Sequence, residues 1–258
     1  MIVFFSGEGN TKSISALLAQ RLEGESLHEL SPAELLSPEA QPLSLPQGDT
    51  RLIWAFPTYS WGIPPVVARY MRAFRPGRGV AEATHIMLST CGDDMAYTDR
   101  QWRKIIGDRG FRSAGAYAVV MPNTYTLMKG FDTDPVEVAR HKIEESHVRI
   151  DEIAKSIEQG GADILVRGRF AWIKSALIYP WFCRYAMSSK PFHSSEGCVG
   201  CGLCAKICPM ANIMMENGRP QWGRHCALCL RCYHSCPRHA VAYGKVTEGK
   251  GQYLRKNI

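Results

Sequence analysis

Cysteine carries the clearest chemistry in this sequence, because one pattern is written twice, 28 residues apart. Cys198, Cys201, Cys204 and Cys208 with Pro209 read C-x2-C-x2-C-x3-C-P, and Cys226, Cys229, Cys232 and Cys236 with Pro237 read the same. Three thiolates one short turn apart reach three corners of a small cube when the backbone wraps it, and the fourth must come from elsewhere. This is the ligand spacing of cubane iron–sulfur clusters. Structural zinc pairs C-x2-C units across a longer spacer and needs no third cysteine followed by Cys-Pro. A disulfide framework belongs to small secreted domains, whereas this chain has 258 residues and reads without a secretory leader. The repeat runs beyond the ligands: Ile213 corresponds to Val241, and Phe192-His193 to Gln221-Trp222, as short strands flanking each run would require.

The doubled run resembles the bacterial two-cluster ferredoxins. In that family the last cysteine of each run serves the other cluster. The resemblance therefore implies one [4Fe-4S] cluster on Cys198, Cys201, Cys204 and Cys236, and another on Cys226, Cys229, Cys232 and Cys208. Eight of the ten cysteines lie in these runs, so cysteine usage reports metal chemistry rather than an oxidising compartment. The apolar opening, Met1 to Phe5, is too short for a signal peptide or a membrane span, and the expected location is the cytoplasm. The net charge of +7 is uneven: −3 over residues 1–160, +4 over 161–192 and +6 over 193–258. Each oxidised, fully cysteine-ligated cubane adds about −2, which brings the last segment to roughly +2. Such a surface suits an acidic redox protein, or is simply a solvated face. No basic run with interleaved aromatics is present, so nucleic acid is not an expected partner. Nothing in the sequence specifies an oligomeric state.

Strands and helices alternate ahead of the cysteines. Met1 to Phe5 reads as a buried strand that stops at Ser6-Gly7-Glu8-Gly9-Asn10-Thr11, before a helix with Ile14, Leu17, Leu18 and Leu22 on one face. Strand, Gly-rich turn and helix make a phosphate cradle. It is not a Walker loop, which ends Gly-Lys-Ser/Thr, nor a dinucleotide fingerprint, since Lys12 takes the place of the third glycine. A strand starting at residue 2 and running into a loop of hydroxyl and Asn residues resembles flavodoxin, where hydroxyls and backbone N–H groups hold the FMN phosphate. Glu8 stands where flavodoxins place a hydroxyl residue, and a carboxylate repels phosphate. The expectation is that Glu8 points outward, toward Lys12, or that FMN binds weakly.

The second apolar strand, Arg51 to Phe56, enters Pro57-Thr58-Tyr59-Ser60-Trp61-Gly62 and then a helix through Val66, Tyr70 and Phe74. Flavodoxin-like proteins place an aromatic residue and a Gly here against the isoalloxazine, which implies Tyr59 and Trp61, flat ring on flat ring. The alternative is that both are loop anchors over the core. A third strand, Thr84 to Ser89, enters Thr90-Cys91-Gly92-Asp93-Asp94, where the resemblance implies a Gly-Asp pair at Gly92-Asp93 and a stacking ring at Tyr97. Asp93, Asp94 and Asp99 would put negative charge near the flavin and oppose its anionic reduced form. Cys91, with no adjacent histidine, reads as inert. Gly115 to Met121 runs into Pro122-Asn123-Thr124-Tyr125, and Asp134-Pro135 opens a helix that Gly160-Gly161 ends.

The expected architecture is α/β: a flavodoxin-like doubly wound parallel sheet over 1–161, then a small α+β ferredoxin domain of two pseudo-repeats over 191–246. Between them, 162–190 reads as a linker whose Phe170, Ile173, Leu177 and Trp181 share a helical face, expected to pack between the domains, with a partner surface or a membrane-surface helix as the alternatives. Its uncharged run, Ser175 to Cys183, is too short to span a bilayer, and membrane contact is not expected. The polar tail, 247–258, is expected to be loosely held. Both halves together resemble flavodoxin/ferredoxin fusion proteins, which implies an electron-transfer flavoprotein with FMN and two [4Fe-4S] clusters that exchanges electrons with a redox protein. No nicotinamide fingerprint is present, so a protein donor is expected. The alternative is a flavin-dependent reductase of a small acceptor, a quinone or an aromatic, fed by the clusters.

Overall fold

A computed structural model describes residues 1–253. The first domain runs β1 (Ile2–Phe4), α1 (Asn10–Arg21), β2 (Leu27–Glu29), β3 (Arg51–Pro57), α2 (Pro65–Ala73), β4 (Thr84–Cys91), α3 (Thr98–Asp108), β5 (Arg112–Val120) and α4 (Val136–Gln159). The five strands form one parallel sheet in the order β2-β1-β3-β4-β5. That is the flavodoxin-type order 2-1-3-4-5, whose chain reverses direction across the sheet between β1 and β3. The central strands are continuous apolar runs because helices cover both faces. Alternate residues serve opposite layers: Leu52, Trp54 and Phe56 pack with Val67, Tyr70 and Trp102, while Ile53 and Ala55 pack with Ile14, Leu18 and Ile150. The outer edge of β5 is partly covered, since Ile164 exchanges backbone hydrogen bonds with Ala116 and Ala118 (3.1 and 2.8 Å). A paired edge no longer invites another chain.

The second domain contains β6 (Phe192–Ser194), α5 (Leu203–Lys206), β7 (Ile213–Glu216), β8 (Arg219–Trp222), α6 (Arg231–His234) and β9 (Val241–Tyr243). Two antiparallel pairs, β6 with β9 and β7 with β8, flank the cysteine segments. The 28-residue repeat is visible in the backbone. Left-handed φ occurs at Gly200 and Leu228, at Gly202 and Leu230, and at Ala211 and His239. The N–H of Asn212 donates to Cys208 Sγ and that of Ala240 to Cys236 Sγ, both at 3.3 Å.

Two expectations change. The helix over 171–186 is docked by the other face: Ser175, Tyr179 and Phe182 turn inward, and Ile173, Leu177 and Trp181 are exposed. The docked face carries the polar anchors, since Tyr179 OH donates to the Ile63 carbonyl and the Tyr97 N–H to Ser175 Oγ, and two π-helical stretches, Lys174–Ile178 and Phe182–Ala186, alternate with α-helical turns. An α-helix drifts at every fourth residue, whereas wider turns mixed with α turns average about four residues per turn. Ala171, Ser175, Tyr179 and Cys183 therefore line up on one side and Ile173, Leu177, Trp181 and Tyr185 on another. The tail is also held rather than loose as far as Tyr253. Lys250 Nζ donates to the Thr126 and Met128 carbonyls (both 2.6 Å), Gln252 donates to the Tyr233 and Cys236 carbonyls (2.6 and 3.0 Å), and Tyr253 is buried.

Candidate flavin and iron–sulfur site

The carboxyl ends of β1, β3, β4 and β5 open into one cavity of about 1150 Å³, open solvent at its mouth included. Its polar end lies at the start of α1. Gly9, at φ 109°, turns the chain into the helix, and the Ser13 N–H closes the first turn on the Gly9 carbonyl at 3.0 Å. Asn10 Nδ2 donates to the Pro122 carbonyl (3.2 Å), and Thr11 Oγ1 and Thr90 Oγ1 are 2.8 Å apart. This leaves hydroxyls and the helix N-terminus around a region suited to an anion.

Tyr59 and Trp61 come from a two-residue turn in which Ser60 and Trp61 both take positive φ (45° and 63°), closed by Tyr59–Gly62 backbone hydrogen bonds of 2.8 and 3.0 Å. Such a turn strains two non-glycine residues to set the direction of their side chains. The Tyr59 hydroxyl is buried among protein atoms without a hydrogen-bond partner. A buried phenol is ordinarily hydrogen-bonded, so its state fits a cavity built around a polar ligand.

Of the residues singled out as cofactor contacts, Ser6, Gly7, Glu8, Asn10, Thr11, Pro57, Thr58, Tyr59, Ser60, Trp61, Thr90, Cys91, Gly92 and Asp93 line this cavity. Three lie elsewhere. Gly9 is the helix cap. Gly62 makes room for the linker helix, since a Cβ there would stand 2.3 Å from the Tyr179 ring. Tyr97 is sandwiched between the Arg100 and Arg167 guanidinium groups, 3.9 and 4.8 Å from its centroid, and does not reach the cavity.

Glu8 does not point toward Lys12, which pairs with Glu29 at 3.0 Å. It lines the cavity near Arg231 and hydrogen-bonds Thr124, and burial pushes its carboxyl up to about 7. At neutral pH a good share of it is uncharged, which reduces the repulsion anticipated toward a phosphate. The acidic loop after β4 is likewise compensated: Asp94 pairs with Lys174 (2.5 Å), Asp99 with Arg167 (2.8 Å), and Lys142 stands 3.8 Å from Asp93. Two of these three cations belong to the linker, so its basic charge neutralises this loop. Burial pushes the Cys91 thiol up to about 12, in keeping with an inert role.

The cavity has walls that local sequence does not announce. Met121 to Tyr125 close it from β5, Met128 and Phe131 stand at its exposed rim, and Phe182 reaches in from the linker helix. Leu228 and Leu230 reach in from the second domain. Both occupy left-handed backbone where the first repeat has glycine (φ 51° and 62°). A leucine there costs on the order of 1 kcal/mol, and what it supplies is apolar wall for the cavity. Tyr253 OH donates to Asn10 Oδ1 at 2.8 Å, so the tail meets the anion loop at that residue.

The cysteines fall into two sets that cross the repeats. Cys198, Cys201, Cys204 and Cys236 surround one small space. Cys226 has Cys208 as a charged neighbour, and Cys232 has Cys226, Cys208 and, more weakly, Cys204 from the first space; burial, the larger effect, raises both thiols. Among the described residues no three His, Cys, Asp or Glu converge on a single metal ion. Backbone N–H groups aimed at Cys208, Cys226 and Cys236 Sγ (3.3, 3.4 and 3.3 Å) suit thiolate ligands.

The sets differ in exposure: Cys201 is exposed, while Cys229 and Cys232 are buried. Cys229 packs against the anion loop so closely that a Cβ on Gly7 would lie 2.9 Å from its carbonyl oxygen. Arg231 locks this contact. It donates to the Gly7 and Ser6 carbonyls (2.5 and 2.8 Å) and to the Ile207 carbonyl (3.2 Å).

Residues 197–243 match the family model of the 4Fe-4S dicluster domain. The first domain is similar to the flavodoxin of Streptococcus pneumoniae TIGR4 at 16% identity, covering 61% of this chain and 96% of that one with a TM-score of 0.36. It is also similar to a short-chain flavodoxin associated with a bacterial microcompartment (12%, 62% and 97%, TM-score 0.36). The NAD(P)H:quinone oxidoreductase of Methanothermobacter marburgensis matches at 11%, covering 61% and 96%, TM-score 0.34. No curated protein matches the chain. At these scores the structural likenesses add no argument of their own, and the fold assignment stands on strand order. Strand order and the cysteine domain together define the class: a flavodoxin-like domain fused to an iron–sulfur domain.

Proposed function

We propose that the protein passes electrons between FMN and two [4Fe-4S] clusters and on to a redox protein. When bound, FMN exchanges two electrons and each cubane one, so the chain would hold its own two-to-one converter. The observation that carries the reading is the contact of Cys229 with Gly7, which abuts the buried cysteine set on the flavin cavity, while Cys201 is exposed. This asymmetry gives the wire a direction in space: the set of Cys226, Cys229, Cys232 and Cys208 faces the flavin, and the set of Cys198, Cys201, Cys204 and Cys236 faces a partner. Leu228 and Leu230 exclude water from the junction, and Arg231 fixes its spacing. Exposed Val199 provides apolar contact near Cys201, with Lys206 and Arg238 exposed on the same domain for an acidic partner.

An anaerobic reductive titration tests this. The loaded protein should take up about four electrons, two in FMN and one in each cubane, followed by visible absorbance and electron paramagnetic resonance. An uptake near two would remove either the flavin or the cluster pair.

A second reading, reduction of a small acceptor at the flavin, is favoured by one observation. Tyr97 does not cover the cavity, which instead extends past Asn123 and Tyr125 to a rim at Met128 and Phe131. Rapid turnover of a soluble quinone by the reduced protein, with no protein acceptor present, would select this reading.

A further inference from the structure

The linker helix over 171–186 carries a surface that neither the flavin cavity nor the cysteine sets require. On its outer side Trp172, Leu177, Trp181 and Tyr185 are 62, 59, 56 and 69% exposed, with Ile173 and Phe170 beside them. Trp181 and Tyr185 lie with ring centroids 6.3 Å apart. The alternation of α and π turns keeps Ile173, Leu177, Trp181 and Tyr185 in one straight row, and the opposite row is anchored. Tyr179 OH donates to the Ile63 carbonyl (2.7 Å), the Tyr97 N–H donates to Ser175 Oγ (3.0 Å), and Phe182 is buried. The helix is thus fixed on the first domain with its apolar ridge outward.

Charge says what covers the ridge. From residue 164 to 195 there are five Lys/Arg and no Asp or Glu. Lys174 and Arg167 are engaged by Asp94 and Asp99. Arg169, Arg184 and Lys190 are exposed near the two ends of the ridge, and none of them makes an ion pair among the described residues. An exposed row of Trp, Tyr and aliphatic side chains, flanked by cations in a segment without Asp or Glu, matches the boundary between headgroups and acyl chains of an anionic bilayer. Among the described residues no helix is long and apolar enough to cross a membrane. Lying in the interface needs no such length. From the sequence, packing between the domains comes first and a membrane-surface helix is one alternative; the helical face expected to pack inward is the one the structure turns out.

We propose that residues 170–185 dock the protein on an anionic lipid surface, with Trp172, Leu177, Trp181 and Tyr185 entering the headgroup boundary and Arg169, Arg184 and Lys190 pairing with lipid phosphates. The test is co-sedimentation of the anaerobic holoprotein with vesicles of phosphatidylcholine alone and of phosphatidylcholine mixed with phosphatidylglycerol. Binding is expected to the mixed vesicles, to be about tenfold weaker or more on the neutral ones, and to weaken with salt. The double variant Leu177→Ser, Trp181→Ser should lose about tenfold or more in vesicle binding. Arg184→Glu, which changes only surface charge, should weaken binding to the mixed vesicles and leave the neutral ones unchanged. Visible spectra and the thermal transition of both variants should match those of the parent. Equal binding by parent and variants, or no binding to either vesicle, would overturn the proposal. Concentration-dependent dimerisation abolished by Leu177→Ser, Trp181→Ser without vesicle binding would assign the ridge to a second copy instead, and salt-sensitive capture of an acidic redox protein by the ridge without vesicle binding would assign it to that partner.

Discussion

Arg231 shows how much one side chain can decide. It sits between two cysteines of the second run, yet its guanidinium is spent on carbonyls 224 and 225 residues away, at Gly7 and Ser6. Hydrogen bonds to a charged group contribute about 1.5–3 kcal/mol each. Arg231→Ala should therefore raise the FMN dissociation constant by about tenfold or more, measured by the fluorescence of released flavin, with the cluster signals retained. His85 makes a different kind of commitment. It is fully buried, accepts the Trp54 indole N–H at Nδ1 (3.0 Å) and donates from Nε2 to the Val80 carbonyl (3.0 Å). That arrangement requires the neutral ring, and burial, the dominant cause, lowers its pKa from the ordinary 6.5. The unfolded chain then takes up a proton that the folded one refuses. The contribution to stability is complete above about 6.5, and it is lost as pH falls from there through the folded value. His85→Phe should flatten the acid limb of stability against pH in denaturant titrations. It should also cost about 1–3 kcal/mol at neutral pH for the orphaned indole N–H.

At the scale of elements, the two cysteine segments are the same fold put to unequal use. The first keeps glycine at its left-handed positions, and the second substitutes Leu228 and Leu230 to wall the cavity. Leu230→Gly should lower the thermal transition of the flavin-free protein, because Leu230 is buried in the second domain's core and the loss of about 2–5 kcal/mol of packing outweighs the relief of about 1 kcal/mol of strain. The same change should weaken FMN by about tenfold, since burying a leucine side chain contributes roughly 1.5–3 kcal/mol. Gly62 plays the corresponding part for the linker helix. Gly62→Ala would put a methyl group 2.3 Å from the Tyr179 ring, and the helix must lift. Faster amide exchange over 171–186 is the expected signature, and adding Tyr179→Ala should not slow it back to the parent rate, because the Ile63 contact is lost as well.

For the whole molecule, crossing cysteines and crossing arginine make the halves interdependent. Cys208→Ser should abolish the paramagnetic signal of the cluster assigned to Cys226, Cys229 and Cys232, while Cys198→Ser should affect the other. Loss confined to the Cys198 cluster in the Cys208 variant would establish local ligation in place of the crossing. The sequence made legible what is local or periodic: the doubled cysteine run, the alternating strands and helices, and most of the loop residues that meet at the strand ends. It left out what depends on contacts between distant segments. The helical period groups Ile173, Leu177 and Trp181 correctly, but that the row faces outward depends on distant contacts of Tyr179 with Ile63 and of Ser175 with Tyr97. The expected stacking role of Tyr97 misses the two arginines that enclose it. Nothing within 247–253 foretells that Tyr253 meets Asn10, 243 residues earlier.

The walls that Leu228, Leu230 and Tyr253 add to the cavity also impose a sequence in time. Chains emerge amino-terminal end first, at about 5–20 residues per second, and domains fold as units as they appear. The sheet and its anion loop are therefore complete while the cysteine segments are still being made, and the pocket at that stage lacks its last two sides. Flavin loading is easiest in that interval, before Leu228 and Leu230 arrive and before the tail reaches Asn10. Under the proposed function, protein prepared without iron should therefore release its flavin faster than the cluster-loaded protein.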